Sequence, residues 1–99
     1  MVQRWIRQSQ LLNGILSMNS QGLSTTVNDI TLFLMKNDSD IDINIVDSSI
    51  RHYRKSRLLR RKRNPYKPNK HPFEYELTEL GFNQIDYLIE ILSELYNIN

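Results

Sequence analysis

Residues 73–81 read FEYELTELG, and within this segment the hydrophobic pattern changes from that of a strand to that of a helix. Over positions 73–77 apolar residues alternate with glutamate, which predicts a short strand with one apolar face. Thr78 has a side chain suited to the N-cap of a helix, and Gly81 is tolerated in a first helical turn at some cost in propensity. The segment therefore predicts a strand that leads directly into a helix.

An earlier segment, LLRRKR at residues 58–63, is the candidate partner strand. All three prolines of the chain, Pro65, Pro68 and Pro72, lie between or beside the two segments. Because proline fixes φ and lacks an N–H group, it disfavours regular structure. We predict a β-hairpin over about residues 58–77, with an extended and exposed loop at residues 64–72.

The residues C-terminal to the hairpin carry the most regular helical pattern in the chain. Six apolar residues recur at i, i+3, i+4, i+7, i+10 and i+11, namely Ile85, Leu88, Ile89, Leu92, Leu95 and Tyr96. Ile91 and Tyr87 widen this stripe beyond what packing on one small domain requires. We therefore predict a helix over about residues 78–97 whose apolar surface, including these six residues, also forms a homodimer interface.

Two helices are predicted at the N-terminal end of the chain. The first covers about residues 3–18, carries Trp5 and Leu12 among its apolar residues, and ends at a turn that contains Gly22. The second has Ser24 as its candidate N-cap and continues to about residue 36. Trp5 and Leu12 are expected in the core or in a dimer contact, and we include both in the predicted dimer interface.

A third helix is predicted over about residues 42–56. Ile43, Val46, Ile50 and Tyr53 are spaced by three, four and three residues, which puts them on one helical face. The start of this helix is open, because either Asp42 or Asp47 could cap it. In both registers the side away from Ile50 carries Ser48, Arg51, His52 and Lys55.

Positive charge is concentrated in one part of the chain. Ten of the 13 Lys and Arg residues lie between positions 51 and 70, a stretch without Asp or Glu, and the remainder holds three basic and 11 acidic residues. The formal net charge of +2 therefore combines a segment of +10 with a body of −8. Local positive charge holds a polyanion, since each neutralised phosphate releases condensed counterions. A nucleic acid is the first partner to consider.

Composition argues against several other classes of function. The chain of 99 residues suits a single domain, and it has no cysteine for disulfides, thiol catalysis or the common structural zinc sites. No nucleophile stands beside a base, and there is no glycine-rich phosphate loop. We expect neither an enzyme nor a bound cofactor or metal. The apolar runs are too short to cross a bilayer and no signal peptide is evident, so a cytoplasmic, nucleoid-associated protein is expected.

The order helix, helix, helix, basic hairpin, helix, together with YELTELG at residues 75–81, resembles the winged helix-turn-helix DNA-binding domains. The resemblance covers about residues 11–92 and is strongest to PadR-like and MarR-like bacterial and archaeal regulators. In those families a Tyr-x-Leu-Thr-x-x-Gly segment closes the wing, and a Leu-Leu or Leu-Ile pair, here Leu58 and Leu59, opens it. A glycine often precedes that pair, whereas this chain has Arg57. The implied fold is mainly α with a small β-hairpin: three helices, a two-stranded wing and a long C-terminal helix.

The resemblance also implies how the chain would contact duplex DNA. The third helix would enter the major groove, and the wing would reach the backbone or the neighbouring minor groove. The implied base readers are Ser48, Ser49, His52 and Lys55. The implied phosphate contacts in and after this helix are Arg51, Arg54 and Arg57. In the wing, Arg60, Arg61, Lys62, Arg63, Lys67 and Lys70 would add positive charge, and Tyr66 would pack on sugar or backbone.

Several functions remain open at this stage. The preferred one is a homodimeric transcriptional repressor that binds a palindromic or repeated site. The second is a plasmid-partition or architectural protein that binds a centromere-like site and spreads along DNA in a higher assembly. Proteins of partition or transcription would be further partners in these cases. The third is an interaction module whose basic face binds an acidic protein or structured RNA. The non-functional alternative is that the basic segment is only a solvent-exposed charged surface.

Overall fold

Three helices precede a two-stranded hairpin and a fourth helix follows it in the computed structural model, which describes residues 2–62 and 73–96. Within these residues the elements are α1 (Val2–Ser20), α2 (Val27–Met35), α3 (Ile43–Lys55), β1 (Leu59–Lys62), β2 (Glu74–Leu77) and α4 (Glu79–Tyr96). The predicted fold class, mainly α with a small β-hairpin, is confirmed. The predicted loop at residues 64–72 lies outside the described residues.

The core is formed by the apolar faces of all four helices and by the hairpin. On α1, Leu11, Leu12 and Ile15 are fully buried, and on α4 Leu88 is fully buried as well. The helix α1 occupies the centre because it packs against α2, α4 and β2. Side chains of α3 complete this core with its predicted face, Val46, Ile50 and Tyr53.

The helix α1 ends in a backbone motif that recurs at the end of α3. At the end of α1, the N–H of Leu23 donates to the carbonyl of Met18 at 3.0 Å, and the N–H of Gly22 donates to Asn19 at 3.1 Å. This pair of hydrogen bonds defines a Schellman motif, which places its C′ residue in the left-handed region. Gly22 has φ of 69° there, so the predicted glycine turn is confirmed.

The start of α2 differs from the prediction. Thr26, not Ser24, is the N-cap, because its side chain accepts a hydrogen bond from the N–H of Asp29 at 3.1 Å. The hydroxyl of Thr26 also donates to the Asp29 carboxylate at 2.8 Å. Ser24 contributes differently: hydrogen bonds from Ser24 and then Thr26 hold the pKa of Asp29 below its ordinary value of 3.8. Two residues therefore separate the predicted from the observed cap.

The start of α3 selects one of the two possibilities that the sequence left open. Asp42 is the N-cap, and its carboxylate accepts a hydrogen bond from the N–H of Ile45 at 2.9 Å. Asp47 lies inside the helix. The longer alternative for this helix is therefore the observed one.

The hairpin pairs β1 and β2 antiparallel, with Leu59 opposite Leu77 and Arg61 opposite Tyr75. This register directs Leu59, Tyr75 and Leu77 into the core, where all three are buried. The charged residues Arg60 and Glu76 face each other on the other side. Period-two alternation thus places Arg60 and Lys62 on the outer face of the wing, whereas Arg61 shares the face of Leu59 and Tyr75 and is nevertheless exposed.

The free edge of β2 is held by residues that connect α1 to α2. The hydroxyl of Thr25, which is fully buried, donates to the carbonyl of Tyr75 at 2.6 Å, and the N–H of Tyr75 donates to the Thr25 carbonyl at 3.2 Å. The Asn19 side chain donates to the Tyr75 carbonyl and accepts from the N–H of Leu77. These bonds satisfy strand groups that would otherwise lack partners and fix the wing to the helical body.

Candidate nucleic-acid interface

The outward face of α3 carries polar and basic side chains, as predicted. Ser48, Arg51, His52 and Lys55 are exposed, whereas Ser49 and Arg54 are half-buried. Tyr53 is buried on the opposite face. Burial raises the pKa of the Tyr53 hydroxyl, and a hydrogen bond with Ser49 acts in the opposite direction. The Ser49 hydroxyl therefore already has a partner within the domain.

Two other residues of this face also have partners on the helix. The hydroxyl of Ser48 donates to the carbonyl of Asn44 at 2.9 Å. The guanidinium of Arg51 lies 3.2 Å from the carboxylate of Asp47, one turn earlier. An exposed pair of this kind contributes little stability, so a phosphate can compete for the Arg51 guanidinium. Asp47 thus reduces the local positive charge of α3.

The junction between α3 and the wing is a strained Schellman motif. The N–H of Leu58 donates to the carbonyl of Tyr53 at 2.8 Å, and the N–H of Arg57 donates to Arg54 at 3.0 Å. Arg57 occupies the C′ position with φ of 64°, the one non-glycine residue with positive φ among residues 2–62 and 73–96. The turn that often contains glycine in the resembling families is therefore retained with an exposed arginine.

The YELTELG segment holds the wing and α4 against this junction. The Thr78 hydroxyl donates to the carbonyl of Arg57 and accepts from the N–H of Gly81 at 3.0 Å, so it caps α4 as predicted. The N–H of Thr78 donates to the carbonyl of Leu58 at 3.1 Å. A Cβ atom at Gly81 would lie 2.3 Å from that same carbonyl oxygen and 2.8 Å from a methyl group of Leu77. Gly81 is required because the backbone at the start of α4 approaches the Leu58 carbonyl too closely for any side chain.

Two arginines of the wing are held by neighbouring side chains. The Arg60 Nε donates to the Glu76 carboxylate at 2.7 Å across the strand pair. The Arg61 guanidinium lies 3.8 Å from the ring centroid of the exposed Phe73. Lys62 is half-buried. The remaining predicted wing residues lie outside the described residues: Arg63, Tyr66, Lys67 and Lys70.

The structure changes the set of residues that can form a dimer interface. Leu12, Ile85 and Leu88 are at most 5% exposed and belong to the core of the chain itself, so their assignment to the interface was wrong. They lie on the central line of the apolar stripes, which packs α1 and α4 together. Trp5 is partly buried against the core.

Other apolar residues of α4 remain on the surface. Among the predicted interface residues, Ile89, Leu95 and Tyr96 are 50–56% exposed and Leu92 is half-buried. Phe82 is 47% exposed and was missed, although its position seven residues before Ile89 is a usable sequence signal. Exposed apolar residues therefore lie on both sides of the central line of α4: Phe82, Ile89 and Tyr96 on one side, and Leu80, Tyr87 and Leu95 on the other.

Within residues 2–62 and 73–96, no three His, Asp or Glu side chains are grouped as ligands of a metal ion. None of the helices in the described part of the chain has the length and apolar character needed to cross a membrane.

No protein-family model and no curated protein matches the sequence. Solved structures match the fold: a mutant of MepR from S. aureus has a TM-score of 0.69 at 18% identity, over 91% of this chain and 59% of that one. F93 from STIV, described as a winged-helix DNA-binding protein, has a TM-score of 0.68 at 17% identity, over 92% of this chain and 91% of that one.

A third match is a MarR family transcription regulator, with a TM-score of 0.62 at 18% identity over 90% of this chain and 56% of that one. The chain thus spans less than two thirds of MepR and of this regulator, and most of F93. At sequence identities below one fifth, these structural matches establish similarity of fold alone. The chain therefore has the winged helix-turn-helix fold of these proteins, as the resemblance in its sequence predicted.

Proposed function

We propose that the chain binds duplex DNA through α3 and the wing and regulates transcription as a homodimer. The observation that carries the proposal is the outward face of α3, where exposed basic and polar side chains stand opposite a fully apolar core face. The cationic wing continues this surface. Winged-helix neighbours described as DNA-binding or as transcription regulators support the same function.

The proposed base readers differ in how free their side chains are. Lys55 is exposed in the last turn of α3 and has no ion pair with any described residue, so its amine can reach base-edge acceptors. His52 is exposed beside it and offers an imidazole. Ser48 retains acceptor capacity on its hydroxyl, whereas Ser49 is engaged with Tyr53. We therefore propose Lys55 and His52 as the principal readers.

Phosphate contacts are proposed for the arginines that border this face. Arg54 and Arg57 form no ion pair within the described residues, so no carboxylate there competes with a phosphate. Arg51 and Arg60 would exchange Asp47 and Glu76 for phosphate oxygens. Arg61 and Lys62 belong to the same surface, and Arg63, Tyr66, Lys67 and Lys70 remain proposed wing contacts.

The opposite charge of α4 would orient the protein on DNA. This helix contains no Lys or Arg, and its exposed residues include Glu79, Asp86, Glu90 and Glu94. A polyanion repels such a surface and attracts the α3 and wing surface. The charge distribution therefore favours a single docking orientation in the proposed complex.

A homodimer is supported by one flank of α4. Phe82, Ile89 and Tyr96 recur every seven residues and are each about half exposed, which forms an apolar line along this helix. Such spacing suits packing between helices. Two-fold related α3 helices would then address half-sites about one helical turn, roughly 34 Å, apart. DNA binding would keep the protein on the nucleoid in the cytoplasm.

A competition assay tests the choice of partner. Fluorescence anisotropy would compare duplex DNA, duplex RNA and an acidic polypeptide for binding to the full chain under identical salt conditions. The proposal predicts a clear preference for duplex DNA, since α3 fits the major groove of B-form DNA and not the deep, narrow groove of RNA. A preference for RNA or for the polypeptide would refute it.

Footprinting separates regulation from partition. A protected region that stops at a discrete operator as protein concentration rises supports the repressor. A protected region that grows continuously supports a partition or architectural protein that spreads along DNA with partner proteins.

Sedimentation of an Ile89→Lys variant tests the proposed dimer. A monomer is expected, and a variant that stays dimeric would show that the interface does not lie on α4.

A further inference from the structure

A basic groove lies between the N-terminal half of α1 and the recognition helix α3. Its volume is about 260 Å³. From α1 it is lined by Arg4, Arg7 and Gln8, and from α3 by Ser48, Ser49, His52 and Tyr53. Ser48 and His52 also belong to the proposed DNA-contacting face, so the groove opens beside that face.

The two arginines of α1 differ in how strongly they are held. Arg7 donates to the side chain of Gln10 at 3.3 Å and lies 3.6 Å from the carboxylate of Asp38, which neutralises part of its charge. Gln10 also donates to Asp38, at 3.1 Å, and this bond is the main reason that the pKa of Asp38 is lowered. Arg4 is exposed and has no ion pair with a described residue.

The positive charge of these arginines reaches the floor of the groove. Both Arg7 and Arg4 act on the buried Tyr53 hydroxyl and oppose the rise of its pKa. The groove therefore combines two guanidinium groups with the imidazole of His52, while the Ser48 hydroxyl already donates to Asn44 and the Ser49 hydroxyl is bonded to Tyr53. Guanidinium groups bind phosphate oxygens through charge-assisted hydrogen bonds.

We propose that this groove binds a backbone phosphate of the duplex that α3 enters, with Arg4 as the principal contact and Arg7 as the supporting one. The proposal rests on the function proposed above. A helix in the major groove, which is about 12 Å wide, has phosphates along both of its flanks. Arg54 lies toward one flank of α3, and the groove lies at the flank of Ser49 and His52. The α1 arginines thus extend the DNA surface beyond the basic segment of residues 51–70.

Substitution of Arg4 tests this assignment. Arg4→Gln should weaken duplex binding roughly 3- to 8-fold at about 0.1 M salt and reduce the slope of log K against log [salt] by about 0.9, the value for one phosphate contact. Arg4→Lys should retain most of the slope. Lys36→Gln is the matched control, because it removes one exposed charge of the same body without touching the groove. Circular dichroism would verify that each variant is folded.

The outcomes distinguish this proposal from the proposed function. If the parent chain binds DNA with a steep salt dependence and Arg4→Gln behaves like Lys36→Gln, the groove assignment is wrong and the proposed function stands. If the parent chain shows no salt-dependent binding, the proposed function fails as well. A slope reduced by Arg4→Gln and unaffected by Lys36→Gln supports the groove.

Inorganic phosphate distinguishes a DNA phosphate from a free anion. Because Trp5, the single tryptophan of the chain, does not line the groove, isothermal titration calorimetry is used to measure phosphate binding to the full chain. A weak, non-saturating response to millimolar phosphate, together with the loss of DNA affinity in Arg4→Gln, is the expected result. Saturable phosphate binding that Arg4→Gln abolishes while DNA affinity stays unchanged would overturn the assignment to the DNA backbone.

Discussion

We expect the substitution Arg57→Gly to raise the free energy of unfolding and to lower the affinity for DNA. Arg57 has φ of 64° at the C′ position of α3, where Gly22 has φ of 69° in the equivalent motif at the end of α1. The left-handed conformation costs a non-glycine residue about 1–2 kcal/mol. Arg57→Gly removes this cost but adds about 0.5–1 kcal/mol of chain entropy to the unfolded state. We expect a net gain in the free energy of unfolding of about 0.5–1 kcal/mol.

The same substitution should weaken DNA binding. It removes one proposed phosphate contact, which lowers the salt slope by about 0.9. Arg57→Ala is the matched control, since it removes the charge and keeps the unfavourable backbone conformation. Both variants should bind DNA equally weakly, and Arg57→Gly should be more stable than Arg57→Ala by about 0.5–1 kcal/mol.

Urea denaturation and thermal melting, followed by circular dichroism, measure the stabilities, and anisotropy measures the affinities. For a chain of 99 residues, 1 kcal/mol corresponds to a shift in melting temperature of about 4–8 °C. Equal stabilities of the Gly and Ala variants would refute the argument from backbone conformation. An Arg57→Gly variant that binds DNA as tightly as the parent chain would refute the phosphate role.

Three further predictions concern the contacts that hold the wing and α2. Gly81→Ala should destabilise the fold by about 1–2 kcal/mol in urea denaturation, since the clash with Leu58 O exceeds the gain in helix propensity; a more stable variant would contradict the close approach. Thr25→Val should cost about 0.5–1.5 kcal/mol, because it removes the short buried hydrogen bond to the Tyr75 carbonyl and leaves that carbonyl only the longer bond from Asn19; an unchanged melting temperature would contradict this. Asp29 has a lowered pKa, so it stabilises the fold above pH 3.8 and loses that effect as pH falls below it; Asp29→Asn should flatten the decline in stability below about pH 4, and an identical acid profile would contradict the assignment.

Periodicity predicted much of the architecture, because burial imposes a regular spacing on each element. The spacing of Val46, Ile50 and Tyr53 identified the core face of α3 and thereby its outward face. The change of period at residues 73–81 located the second strand and the start of α4. These features depend on residues that are close in sequence, which is why the sequence reveals them.

Features that depend on distant residues were missed or misjudged. Three consecutive hydroxyl residues, at positions 24–26, could each cap α2. The strand β2 binds the Thr25 hydroxyl through the Tyr75 carbonyl, and Thr26 is the residue that caps the helix. The stripe of α4 revealed an apolar face but not that Leu88, on the central line of this face, is buried in the core of the same chain.

The charges of the interface also depend on tertiary structure. Glu76 reaches Arg60 through the strand register, and Arg4 reaches the side of α3 through helix packing, so neither contact is visible as a local pattern. The pair of Asp47 and Arg51 is different, because a separation of four residues within a predicted helix is a sequence signal for it.

The salt dependence of duplex affinity in the parent chain tests the central claim most directly. Arg51, Arg54 and Arg57 of each subunit supply about six proposed phosphate contacts in a dimer, and each contact contributes about −0.9 to the slope of log K against log [salt]. Fluorescence anisotropy from about 50 to about 200 mM salt should therefore give a slope of about −5 or steeper. A slope shallower than about −2 would contradict the proposal that α3 and the wing bind DNA.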